Sequence, residues 1–138
     1  KRNLKKKILS ASLKVYTYAE ATEMMAKVRP MFAHFPCCFV GWDNTARRGR
    51  QAIVMIDSTP ELFQGQLSLM ANGVMHKPRD ERIVFINAWN EWAEGMYLEP
   101  DTTNGHAYLE AVSSALNELQ EPAEKRDGYD AQSLRRSA

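Results

Sequence analysis

Residues 83–101 read I-V-F-I-N-A-W-N-E-W-A-E-G-M-Y-L-E-P-D. The first four are apolar without alternation, the pattern of a strand covered on both faces. A polar, aromatic and acidic segment follows from Asn87 to Asn104. A helix is then predicted from about Gly105 to Leu119, with Tyr108, Val112, Ala115, Leu116 and Leu119 along one side. An apolar strand that ends in a loop rich in reactive groups and is followed by an amphipathic helix is the repeating unit of a helix-covered parallel sheet. The predicted fold class is therefore α/β.

The upstream sequence repeats the pattern. Residues 17–20, T-Y-A-E, form a capping box, and Ala21, Met24, Met25 and Val28 follow at helical spacing until Pro30 ends the helix. Residues 35–40 are a second apolar run, leaving into the turn residues Gly41, Asp43 and Asn44. Residues 52–56 are a third run. They precede S-T-P-E at 58–61, read as a capping box that starts a helix with Phe63, Leu67, Met70 and Val74 facing inward. Residues 1–16 read as a basic leading segment and 120–138 as a polar tail, leaving 17–119 as the structured part. Polar groups gather after each strand, at Trp42–Asn44, at Asp57 and Ser58, and at Asn90–Glu94. In α/β architectures this carboxyl-end rim is where sites form. Asp57 and Ser58 fit a helix start better than a site.

Composition narrows the function classes. The chain has 138 residues, 44% of them hydrophobic, and 18 basic against 17 acidic side chains give a net charge of +1. Such a balance offers no strong attraction to nucleic acid or to acidic membranes. No apolar run approaches the ~20 residues of a membrane span, and no signal peptide opens the chain. Cys37 and Cys38 are adjacent and read as two small hydrophobes on a buried strand. Neither they nor His34, His76 and His106 have metal-ligand spacing, so no metal and no cofactor is expected.

The chemistry concentrates in the opening stretch. Glu91 and Glu94 lie three apart around a tight turn, and two close carboxylates do not readily ionise together. That divides the work between a general acid and a general base, as glycosidic-bond chemistry requires. Trp92 and Tyr97 beside them suit stacking on the C–H faces of a sugar, and Asn90 and Glu99 suit its hydroxyls. On the neighbouring rim, Trp42 offers a second platform and Asp43 and Asn44 offer hydrogen bonds. Arg47 and Arg48 can hold an anionic group or pair with rim acids. The alternative is structural: acids that cap a helix, tryptophans that fill the core, and Asp43 braced by Arg48.

W-N-E-W-A-E-G followed by L-E-P-D, together with W-D-N-T-A-R-R-G at 42–49, resembles the WbsX-type glycosyltransferase family, also described as glycoside hydrolase family 99-like. The resemblance runs from about residue 35 to residue 116. It implies the C-terminal part of a (β/α)₈ barrel of TIM type, acting on glycans in bacterial surface-polysaccharide (O-antigen) metabolism in the cytoplasm. Family 99 hydrolases carry E-W-H-E-G. On that pattern Glu91 corresponds to the carboxylate that deprotonates a sugar 2-hydroxyl, and Glu94 to the acid/base that serves the leaving oxygen. Ala93 stands where those hydrolases have histidine, which leaves open both the substrate and the choice between hydrolysis and transfer. The competing expectations are a nucleotide-sugar-dependent glycosyltransferase, against which the lack of a D-x-D or a glycine-rich loop counts, and a glycan-binding or inactive fragment. A barrel needs ~250 residues, so about three strand–helix units here imply a missing N-terminal barrel portion as partner. Exposed sheet edges and apolar helix faces are the expected consequence.

Overall fold

The computed structural model describes residues 13–28 and 30–119. The cluster of basic residues in 1–12 and the polar tail 120–138 lie outside the described residues.

Strand β1 (Lys14–Thr17) runs directly into helix α1 (Tyr18–Ala26). The T-Y-A-E box forms as expected: Glu20 N–H donates to Thr17 Oγ1 at 3.1 Å, and Thr17 N–H donates to Glu20 Oε2 at 2.9 Å. The three apolar runs become β2 (Cys37–Phe39), β4 (Ile53–Ile56) and β5 (Phe85–Asn87). Between β2 and β4 lie β3 (Trp42–Asp43), the short helix α2 (Thr45–Arg48) and a 3₁₀ turn at Gly49–Gln51. Helix α3 (Pro60–Val74) leads to β5, and α4 (Ala107–Asn117) closes the described chain.

β2 and β5 pair in parallel, with Cys37 opposite Phe85 and Phe39 opposite Asn87. β1 and β4 also pair in parallel, Lys14 opposite Ile53 and Thr17 opposite Ile56. β3 breaks the expected all-parallel pattern by pairing antiparallel to β4, Trp42 opposite Met55. The reason is chain length. A parallel crossover takes a dozen or more residues, and only residues 44–52 join β3 to β4, so the chain folds straight back.

The core lies between α1, α3, α4 and β2. Phe63 is fully buried and meets Tyr108 edge-on, ring centroids 5.6 Å apart; Leu67, Ala111 and Ala115 extend the contact. The buried Tyr18 hydroxyl sits 2.7 Å from Phe39 O and 2.6 Å from Gln66 Oε1, which explains a glutamine in the core. Two local expectations shift. The cap of α3 is Thr59, whose Oγ1 accepts the Leu62 N–H at 3.3 Å, with Pro60 first in the helix. Ser58 instead donates to Val40 O and lies 3.2 Å from the Tyr108 hydroxyl. Of the two cysteines only Cys38 is buried, and burial pushes its thiol up to about 12. Strand alternation turns Cys37 to the exposed side.

The strands are less covered than their apolar sequences predict. Val15, Ile53, Ile56 and Phe85 are exposed, as are Met24 and Met25 of α1 and Val28 just past its end, while Tyr18 and Ala21 of that helix reach the core. Phe32, in the loop before β2, is 74% exposed.

Candidate functional site

Because β2 and β5 are parallel, the segments that follow them leave from the same end. Val40 N–H extends the ladder to Asn87 O at 3.4 Å, and the two loops then pack backbone against backbone. A Cβ on Gly41 would stand 3.1 Å from Gly95 O. One on Gly95 would stand 3.2 Å from Asp43 Cβ and 3.3 Å from Asp43 N. Gly95 also has φ +60°, in the left-handed region that glycine enters without a steric cost. The W-D-N and W-N-E-W-A-E-G segments therefore meet at a seam where neither glycine can be replaced without displacement.

The second segment is a hairpin. β6 (Asn90–Glu91) and β7 (Met96–Tyr97) pair antiparallel, Glu91 opposite Met96, around a 3₁₀ turn at Trp92–Glu94. Met96 and Leu98 are buried and anchor it. At its base, Leu98 N–H and Glu99 N–H donate to Trp89 O at 2.9 and 3.0 Å. Trp92 and Tyr97 stack with ring centroids 3.7 Å apart and planes 16° from parallel, and Trp92 Nε1–H donates to Glu99 Oε2 at 2.7 Å. Burial first, then the Asp101 charge, pushes the Tyr97 phenol above the ordinary tyrosine value. Asp101 accepts from Asn104 N–H, and from Thr103 N–H at 2.7 Å, and these bonds hold its carboxyl below the usual carboxylate range.

Glu94, at the end of the 3₁₀ turn, is only 14% exposed at its side chain and is ion-paired to Arg47 of α2, whose own side chain is 63% exposed. No other hydrogen-bond partner of the Glu94 carboxylate occurs among the described residues. Glu91 and Asn90 are exposed on the hairpin. Asp43 accepts the Thr45 N–H at 2.9 Å, and the Thr45 hydroxyl and N–H together hold its carboxyl below the usual range. Trp42 is half-buried against the core. Asn44 is buried and its Oδ1 accepts the Ile53 N–H at 2.9 Å, so that oxygen fastens the rim loop to β4.

The structure thus joins Trp92, Tyr97 and Glu99 in one cluster and sets Asp43 against Gly95. Arg48 is exposed with no ion pair among the described residues. Sequence reasoning placed Arg48 among the binding residues and favoured a structural role for Arg47; which of the two meets a rim acid depends on the phase of a four-residue helix, and that is set by what it packs on. It also passed over Asp101, although D-x-x-N is a turn signal. Among the described residues no group of three or more His, Cys, Asp and Glu side chains could hold a metal ion, and no helix is long and apolar enough to cross a membrane.

The loops that leave the parallel strands β2 and β5 thus carry carboxylates and a stacked aromatic pair. The family model for glycosyltransferase WbsX matches residues 1–112, and the chain belongs to that family. Two relatives from Xanthomonas campestris pv. campestris are both described as uncharacterized protein WxcX. The one from strain B100 is 38% identical over 108 residues, covering 74% of this chain and 15% of the relative. The one from strain ATCC 33913 is 40% identical over 94 residues, covering 64% of this chain and 13% of the relative. The chain therefore spans about 15% of the length of the curated relatives it matches. No solved structure matches it.

Proposed function

We propose that this chain carries the catalytic end of a (β/α)₈ barrel that cleaves or transfers glycosyl groups, in the service of bacterial surface polysaccharide, with Glu91 and Glu94 as its working carboxylates. The observation that carries the proposal is the seat of Glu94: a largely buried carboxylate at the seam of the two motif loops, beside the Trp92–Tyr97 stack. The exposed apolar side chains of β1, β4 and β5 support the barrel, whose remaining strands and helices would cover them.

In this mechanism Glu91 takes the proton of the sugar 2-hydroxyl as O2 attacks C1. The bond from C1 to the leaving oxygen breaks, and Glu94 donates its proton to that oxygen. The 1,2-anhydro sugar is then opened at C1 by water or an alcohol, which gives its proton to Glu94 while O2 recovers one from Glu91. Trp92 provides an apolar surface for the sugar ring, and Asp43 and Glu99 face its hydroxyls.

The test uses the full-length protein and a panel of 2-aminobenzamide-labelled oligosaccharides, scored by mass spectrometry for shortened or extended products. Glu91→Gln and Glu94→Gln should each lower turnover by about 10²–10⁴-fold while glycan binding by calorimetry stays within threefold of wild type (about 0.65 kcal/mol). Unchanged turnover in either variant contradicts the assignment. Tight binding of a nucleotide sugar with no action on the panel would favour the sugar-nucleotide transferase instead.

A further inference from the structure

We propose that Arg47 is the positioning residue for Glu94, holding its carboxylate in the orientation that glycosyl chemistry uses. The inference deepens the function proposed above and rests on it. Its basis is an asymmetry in how the two ends of the ion pair are held. The loop that carries Arg47 is already fixed without the pair, by the bonds from Thr45 N–H to Asp43 and from Ile53 N–H to Asn44, and by the close contact of Gly41 and Gly95. Glu94 has no such redundancy. Arg47 is the hydrogen-bond partner of its carboxylate, and no second one exists among the described residues. A half-exposed ion pair adds little to stability, so its consequence falls on the orientation of the Glu94 side chain.

That consequence matters for a group that must give a proton to one oxygen and then take one from another. Such a carboxylate has to be held within about 0.5 Å of its productive position, and a misplacement of about 1 Å can cost 10²-fold in rate. Arg47 reaches Glu94 from the other motif loop, 47 residues away in sequence. The acid is therefore in place only when the W-D-N-T-A-R-R-G loop is seated against the hairpin. One Arg47 nitrogen makes the contact, so a lysine can replace part of it.

The experiment measures kcat and KM of the full-length protein on the labelled oligosaccharide that it turns over, for wild type, Arg47→Ala, Arg47→Lys, Arg50→Ala and Glu94→Gln. Arg47→Ala should lower kcat by about 10–100-fold with KM changed less than about twofold and an unaltered thermal midpoint. Arg47→Lys should recover part of kcat, and Arg50→Ala, which removes an equal charge from the same loop, should match wild type. Wild-type kcat in Arg47→Ala, with Glu94→Gln inactive, overturns the role of Arg47 and leaves the glutamate assignment standing. A loss confined to KM, or one shared by Arg50→Ala, overturns it as well, because binding or general charge would then explain the effect. Full turnover in Glu94→Gln overturns both.

Discussion

Gly95 has two constraints that a side chain cannot meet together. Its φ of +60° is costly for any L-residue, and its Cβ would press on Asp43 Cβ and N at 3.2 and 3.3 Å, where backbone has little room to yield. Gly95→Ala should therefore destabilise the chain by about 1–3 kcal/mol, read as a lower denaturant midpoint at unchanged slope. Asp43 and Asp101 carry a second consequence. Both carboxyls are held below their ordinary range by hydrogen bonds to the ionised form, from Thr45 at Asp43 and from Asn104 at Asp101. The stabilisation is present above the unfolded-state value and is lost as pH falls through the depressed folded value. The thermal midpoint should thus drop below about pH 4, and Asp101→Asn should make that drop shallower. An equally steep drop in Asp101→Asn would remove this account of the turn. The single residues that sequence missed share a cause. Ser58 looks like a cap until tertiary structure gives its hydroxyl to Val40 O and Tyr108, and the tie from the Asn44 oxygen to Ile53 N–H is invisible until β4 lies beside the rim loop.

At the scale of elements, helices were legible because their signals are local. The T-Y-A-E box and the stripe of Phe63, Leu67 and Val74 lie within a few turns of chain, and the structure buries Phe63, Leu67 and Val74. β1 was not legible. K-V-Y-T is four residues long, and its identity as a strand comes from pairing with Ile53–Ile56, almost forty residues on. The antiparallel return of Trp42–Asp43 is likewise set by a connection too short to cross over. The α3–α4 contact is centred on the fully buried Phe63 against Tyr108. Phe63→Ala should cost about 3–5 kcal/mol, a large fraction of a small domain's stability. Equilibrium urea unfolding checks this. A loss below 1 kcal/mol (roughly the effect of a surface change) would show that the core is centred elsewhere.

For the whole molecule, apolar strands read from sequence as covered on both faces, while Ile53, Ile56 and Phe85 are open. In the proposed barrel that discrepancy is informative, because the cover comes from parts of the fold that the pattern anticipates. The two motifs were legible as polar, aromatic and acidic segments following strands; their interlock through Gly41, Gly95 and the Arg47–Glu94 pair was not, since it depends on β2 and β5 being neighbours. The central claim is that Glu94 supplies a proton to a departing sugar oxygen. The most direct test compares Glu94→Gln with wild type in the full-length protein on two donors of the same sugar, one leaving as an alcohol and one as fluoride. The account predicts that first-turnover cleavage of the alcohol-leaving donor falls by about 10²–10⁴-fold, while first-turnover release of fluoride, which departs without that proton, stays near the wild-type rate, Glu94 being needed again only when the anhydro sugar is opened. Equal loss on both donors, or loss on neither, would contradict it.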